Sequence, residues 1–296
     1  MVKNTLKRLI PRPWRPNVRR VYYAAFKPLE MVIKKCFHFV PDTLGTWFGN
    51  RDPLTPPQWM NASGDGDFRE IGTEFLHYFV TFGGLKPNEK VLEVGCGIGR
   101  MAVPLMDYLK DGGCYDGFDI IPQGTRWCRK QITPRASNFR FQLANIYNYA
   151  YNPMGKYKAA EYVFPYENDS FDFVFLTSVF THMMPQDMEH YFSQISRVLK
   201  PGGRCIITFF LLNDESLACI NAGSSSLDFK YEKKGYRINN QYIPEEAVAY
   251  NEKYILELYP KNKMKITPPV LYGSWCGRKH FLSYQDIILA AKEYEH

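Results

Sequence analysis

The chain has 296 residues, 45% hydrophobic and 23% charged, a composition that fits one large globular domain with appendages and excludes collagen-like and low-complexity classes. Its net charge of +7 is unevenly placed: residues 1–40 hold ten Lys or Arg and one acid, whereas the remaining 256 hold 27 basic and 29 acidic side chains. A basic nucleic-acid-binding body is thereby excluded, and no apolar run of about eighteen residues is present to span a membrane.

Residues 1–60 read as a basic N-terminal arm, rich in Pro, Arg and Trp, in which only Pro28 to Val40 shows helical spacing. It lacks the apolar core of a secretory signal, and no serine precedes Ser63, so neither a signal nor a transit peptide is expected. Asp67 followed by Glu70 marks a helix start, with Phe68, Ile71, Phe75, Phe79 and Phe82 on one face and Gly83-Gly84 as the stop. Val91 to Val94 is a short strand running into the glycine loop Gly95-Cys96-Gly97-Ile98-Gly99. A helix follows, then a strand ending at Gly117-Phe118-Asp119-Ile120, a helix from about Thr125, and strands Phe139 to Leu143 and Phe171 to Leu176. A helix carrying Met188, Tyr191, Phe192 and Ile195 leads through Lys200-Pro201-Gly202-Gly203 into a strand Cys205 to Leu212. This alternation predicts a parallel sheet wrapped by helices. Beyond it, residues 227–239 suggest a ribbon, Ala247 to Leu258 a helix, and Lys265 to Leu271 and Ile287 to Ala290 two late strands. Seven cysteines, an odd number without a C-x-x-C, point to free thiols in a reducing, cytoplasmic compartment and to no metal site.

The spacing of the glycine loop narrows its ligand. A dinucleotide fingerprint needs G-x-G-x-x-G, but the sixth position from Gly95 is Arg100, and Glu93 stands two residues before the first glycine. The pattern E-x-G-x-G-x-G resembles motif I of the class I S-adenosylmethionine-dependent methyltransferases. Four further segments extend the resemblance in order: Asp119 after the second strand; Gln142-Leu143-Ala144-Asn145-Ile146 after the third; Phe164-Pro165-Tyr166 through Ser170-Phe171-Asp172 before the fourth; and Leu199-Lys200-Pro201-Gly202-Gly203 before the fifth. Together they span residues 67–212.

The resemblance implies a Rossmann-like, doubly wound, seven-stranded and mostly parallel sheet in a domain of residues 61–296, with 213–243 as a substrate-side insertion. It implies S-adenosylmethionine as cofactor, bound by Glu93, Gly95, Cys96, Gly97, Gly99, Asp119, Ile120, Asn145, Ile146 and Thr177. Asp119 would accept the ribose hydroxyls. Asn145 departs from the family's usual Asp but can still accept from the adenine amino group through its side-chain oxygen. The loop before the first helix, with Gly64 and Phe68, is expected near the cofactor.

Methyl transfer from a sulfonium needs alignment and exclusion of water, and a base only where the acceptor must lose a proton. The stretch Thr177 to Met183 after strand four holds one such group, His182. No [DN]-P-P-[YF], cysteine or aspartate stands there, which argues against base-amine, cytosine-C5 and metal-dependent catechol enzymes. The remaining expectation is transfer to oxygen or nitrogen of a small-molecule, sugar or lipid-linked acceptor, with Tyr166, Phe180, Trp275 and Arg278 as acceptor contacts. An RNA methyltransferase using the basic arm, or a cofactor-binding protein without activity, are the competing readings. The arm itself has two: attachment to an anionic membrane surface, since Trp14, Tyr22, Tyr23 and Phe26 interleave its cations, or packing on the domain or a partner subunit.

Overall fold

In the computed structural model, residues 52–60 and 66–294 are described. The chain divides into two units, Met1–Gly64 and Asp65–His296. Of the first, only a segment with one 3-10 turn at Gln58–Met60 is described; the expected helix at 28–40, the basic stretch and Gly64 lie outside the described residues.

The second unit opens with helix α1 (Phe68–Thr81), whose first turn is capped as the sequence predicts: Asp67 Oδ1 accepts from the N–H groups of Arg69 and Glu70 at 2.8 and 2.9 Å. Its buried face includes Phe75 and Phe79, and the Phe79 ring meets Phe173 and Phe175 at 5.7 and 4.3 Å between centroids. There follow β1 (Lys90–Val94), α2 (Ala102–Tyr108), β2 (Cys114–Asp119), α3 (Pro122–Gln131), β3 (Phe139–Leu143), β4 (Phe171–Leu176), α4 (Pro185–Val198) and β5 (Leu199–Phe209). The inner strands read as almost continuous apolar runs because helices cover both faces of the sheet.

The remaining elements are β6 (Leu211–Leu212), α5 (Asp214–Asn221), β7 (Tyr231–Lys233), β8 (Tyr236–Ile238), β9 (Val248–Asn251), α6 (Glu252–Lys261), β10 (Met264–Leu271) and β11 (Asp286–Lys292). The main sheet has seven strands in the order β10-β11-β5-β4-β1-β2-β3. All its pairings are parallel except those of β11, which runs antiparallel to both β5 and β10. The expected seven-stranded, mostly parallel Rossmann-like sheet is therefore present. The Lys200–Gly203 turn is a large bulge inside β5: Leu199 faces Phe171, and the next pair is Arg204 with Phe173.

Two readings of the region after β5 change. Residues 247–258 are not one helix: Val248–Asn251 form a strand, and Asn251 caps α6 by accepting from the Lys253 N–H at 3.0 Å. The expected insertion also contributes regular structure of its own. Its hairpin β7–β8 joins β9 and β6 in a second sheet, ordered β6-β9-β8-β7, with β6 separated from β5 by Phe210 alone.

Candidate active site

The strand order reverses between β1 and β4, since the chain builds β2 and β3 to one side and β5 to the other. In such sheets ligands bind beyond the carboxyl ends of the strands at that point. Two segments meet there. Gly95, the residue after β1, lies so close to Val179 that a Cβ on it would overlap Val179 Cγ2.

Gly97 differs. Its φ is +50°, and a Cβ there would meet nothing within 4 Å, so the loop is bare toward open space at this residue. Its carbonyl is backed by Gly124 in the first turn of α3, where any side chain would strike the Gly97 oxygen. Gly99 instead packs against Cys128 and Ile132 at the end of α3. Gly124 was invisible to motif reading because it works from a different element.

Asp119 closes the loop from the end of β2. Its Oδ2 accepts from Gly97 N–H and its Oδ1 from Ile121 N–H, both at 2.7 Å. Burial pushes its carboxyl above the ordinary range, and these backbone donors pull it back. Each oxygen keeps a further lone pair for a second donor.

Other expected cofactor residues contribute less directly. Glu93 is buried and accepts the Tyr115 hydroxyl; burial raises its carboxyl to about 8. Tyr115 reaches it across Gly117, where a Cβ would lie 2.6 Å from the hydroxyl. Glu93 thus braces β1 against β2 from inside the sheet. Cys96 turns its side chain into the same interior. Ile120 is half-buried and Ile146 buried in the main core, whereas Asn145 is exposed and its Oδ1 accepts from Lys156 N–H at 3.2 Å. Thr177 is half-buried at the end of β4. Phe68 is packed into the core as the first residue of α1.

After β4 the chain turns through Ser178, whose φ of +58° is uncommon for a side-chain-bearing residue. The turn is held by Thr208 of β5, which accepts from Ser178 N–H at 2.8 Å and donates to Gln285 Oε1 at 2.6 Å. His182 ends the next short 3-10 turn, Phe180–His182. Its Nδ1 lies 3.0 Å from the Glu245 carbonyl oxygen, an acceptor only, so Nδ1 carries the proton and donates. Nε2 then carries the ring's lone pair. Burial lowers the pKa of the ring, favouring its neutral form. Tyr151 stands edge-on to the ring, with its hydroxyl 3.4 Å from Nε2, and Asn148 Nδ2 donates to the His182 carbonyl at 3.1 Å. Sequence reading missed Tyr151 and Asn148, which arrive from the loop after β3.

Three of the four expected acceptor contacts are placed otherwise, and the fourth lies at the far end of a strand. Phe180 is fully buried against Phe192 and Phe209. Trp275 and Arg278 do lie between β10 and β11 but are consumed by buried Asp286, which accepts from Trp275 Nε1 and Arg278 Nη1, each at 2.7 Å. The same carboxylate takes the N–H groups of Leu211 and Gly273 at 2.8 Å, while Arg278 Nε reaches Glu215 at 2.8 Å. A guanidinium so engaged has no free edge for an acceptor. Tyr166 packs edge-on against Phe171, the first residue of β4, at the opposite end of that strand from Thr177.

Residues 92–207 match a family model described as "Methyltransferase domain". With the sheet order and glycine loop above, residues 92–207 form a methyltransferase domain of the S-adenosylmethionine-dependent class. Phosphoethanolamine N-methyltransferase 2 of Caenorhabditis elegans is 28% identical over 187 residues, 60% of this chain and 38% of its own length. Sterol 24-C-methyltransferase ERG6B of Gibberella zeae is 29% identical over 141 residues, 47% of this chain and 32% of its own. The chain thus spans well under half the length of these curated relatives. The PH0226 protein of Pyrococcus horikoshii OT3 shares the fold, with a TM-score of 0.54 at 17% identity over 83% of this chain and 98% of its own. S-adenosylmethionine is the cofactor of this class, and the bare space over Gly97 beside the Asp119 carboxylate fits a ligand rich in hydroxyl donors.

Proposed function

We propose that the protein transfers the methyl group of S-adenosylmethionine to an oxygen or nitrogen of a small-molecule, sugar or lipid-linked acceptor, with His182 Nε2 as the proton acceptor. The observation that carries this reading is the Nδ1–H bond from His182 to the Glu245 carbonyl. It fixes the tautomer whose free nitrogen is the basic one, at the carboxyl end of β4.

The cofactor supplies a methyl group already activated by the sulfonium charge. The protein's work is to hold, orient and exclude water. Asp119 accepts the ribose hydroxyls with its unused lone pairs. The backbone of Gly95, Gly97 and Gly99 gives close approach, Ile120, Asn145 and Ile146 border the base, and Thr177 borders the methyl group. Glu93 and Cys96 support the loop from within. The lowered pKa of His182 means that the acceptor meets an unprotonated imidazole at neutral pH. The cation-rich stretch 1–40, with its interleaved aromatics, supports attachment at an anionic surface.

Incubation of the full chain with methyl-labelled donor and separate pools of small metabolites, sugars, lipids and tRNA tests the reading. Label is expected in a non-nucleic-acid pool and lost with Asp119→Ala. Label confined to tRNA would establish the competing RNA reading.

A further inference from the structure

Among the described residues, eleven large hydrophobic side chains are exposed, and six of them fall between residues 143 and 163: Leu143, Tyr147, Tyr149, Met154, Tyr157 and Val163. Four stand on one loop, residues 145–157, closed by a parallel bridge between Ile146 and Tyr157 and an antiparallel one between Asn148 and Asn152. Met154 is 88% exposed.

Two properties of this loop restrict what covers it. The first is its backbone. Tyr147 N–H donates to Tyr157 O at 2.7 Å, and Asn148 and Asn152 exchange N–H···O bonds at 3.1 and 2.9 Å. Lys156 and Tyr157 N–H both reach Asn145 O at 3.0 Å, and Gly155 N–H reaches Asn152 O at 3.0 Å. Asn148 Oδ1 takes the N–H groups of Ala150 and Tyr151, each at 3.0 Å, and Asn152 Nδ2 donates to Ile146 O at 2.9 Å. A loop so satisfied can leave water without stranding these groups, and it offers them to no incoming strand.

The second property is charge. Residues 143–160 contain Lys156 and Lys158 and no acid, against 27 basic and 29 acidic side chains in all of residues 41–296. Lys156 Nζ lies 5.2 Å from the Tyr157 ring centroid, and Lys158 shares its charge with Glu161 at 3.2 Å. Tyrosines carrying terminal hydroxyls beside an exposed thioether and lysines are the side chains that settle at headgroup depth.

We propose that the 145–157 loop is a docking surface for an anionic lipid bilayer, with Tyr149, Met154 and Tyr157 entering the headgroup region and Lys156 meeting lipid phosphates. The inner side of the same loop carries Asn148 and Tyr151 to His182. Docking therefore sets the candidate base beside the bilayer surface, where a lipid-linked acceptor resides. That last consequence rests on the proposed function; the docking itself does not.

The test is co-sedimentation of the full chain with vesicles of equimolar phosphatidylcholine and phosphatidylglycerol, without donor or acceptor. Wild type is expected to partition onto these vesicles and not onto pure phosphatidylcholine. Tyr149→Ser/Met154→Ser should lower the partition coefficient at least about tenfold, because it withdraws two apolar side chains from the interface. Lys156→Gln, a conservative surface change, should lower it about fivefold. Retained binding of S-adenosylhomocysteine shows that each variant is folded. Wild type that ignores the vesicles, or variants that partition like wild type, overturns the proposal. So does a wild-type dimer that the double variant dissociates, which would make the patch a contact between copies. Failure here leaves the methyl-transfer reading untouched, since no transfer is measured.

Discussion

The hydroxyl of Tyr151 lies 3.4 Å from Nε2 of His182 and 3.5 Å from Nδ1, although 31 residues separate the two in sequence. The Tyr151 hydroxyl is held protonated by burial, which raises its pKa to about 12. It therefore stands at the imidazole edge as a neutral hydroxyl, on the other side of the ring from the Glu245 carbonyl. His182→Ala should lower turnover by about 10²–10⁴ while leaving cofactor affinity unchanged. Tyr151→Phe should cost less and act mainly through acceptor KM. Steady-state kinetics with calorimetry on each variant separates these outcomes; a loss under tenfold for His182→Ala removes it from the chemistry.

The pH profile follows from the direction of the His182 shift. Burial lowers its folded pKa below the ordinary value of about 6.5. The folded state then binds fewer protons than the unfolded one. Its contribution to stability is complete above about 6.5 and is lost as pH falls through the lowered folded value. Turnover follows the neutral ring and should be flat through neutrality, declining only on the acid side of 6.5. A limb rising above neutral pH and removed by His182→Ala would contradict this.

Asp119→Asn should weaken S-adenosylmethionine binding about tenfold or more. The change removes the negative charge and replaces one acceptor oxygen by a donor nitrogen, against losses of about 1.5–3 kcal/mol for charged hydrogen bonds. Titration calorimetry with S-adenosylmethionine and S-adenosylhomocysteine measures it directly. Unchanged affinity would remove Asp119 from the cofactor site.

The glycine loop makes a sharper contrast. Gly97→Val adds a side chain where nothing lies within 4 Å but forces a β-branched residue to a φ of +50°, so loss of cofactor binding together with a lowered melting temperature is expected. Gly99→Ala places a Cβ 2.6 Å from Ile132 Cδ1 at a residue whose φ is +77°, so crowding and backbone strain together should appear in melting temperature, with a loss of about 1–3 kcal/mol. Paired thermal melts and calorimetry check both, and normal binding by Gly97→Val would sink the loop's role.

Asp286→Ala should destabilise the fold by about 3–5 kcal/mol, because it takes from a buried guanidinium its buried carboxylate, leaving only the exposed carboxylate of Glu215, and strands three N–H donors. Both side chains of the Asp286–Arg278 pair are 1% exposed or less, so solvent screens neither. Denaturant unfolding of the single and double variants, with Arg278→Met as the second change, gives the coupling. A double variant as unstable as the sum of the singles would show that the pair acts independently.

How far the molecule was legible in its sequence varies with the range of the forces involved. The strands β1 to β4 and their helices were readable because each carries its own apolar run or capped start, as at Asp67 and in Phe139–Leu143. Residues 248–251 were not: Val-Ala-Tyr is buried throughout, and its strand exists only because Leu211 and Arg237 supply partners far along the chain. Asp119 and Gly97 were visible from motif spacing. Trp275 and Arg278 looked like surface recognition residues because a turn between two strands is ordinarily exposed, and nothing local announces that Asp286 will draw both inside. Tyr151 and Asn148 carry no motif; the loop that bears them had to be folded before their relation to His182 existed.

The carbonyl that selects the His182 tautomer belongs to Glu245, in the 3-10 turn Pro244–Glu246 between β8 and β9. That turn connects two strands of the second sheet, whereas the glycine loop lies between β1 and α2 and is backed by Asp119 at the end of β2 and Gly124 of α3. The glycine loop and the contact that fixes the His182 tautomer are thus written on separable lengths of chain. Grafting a different 227–247 segment onto the same domain would leave the glycine cradle intact while resetting the ring nitrogen presented to the acceptor. This gives the scaffold a route to new acceptor chemistries by exchange of one surface module.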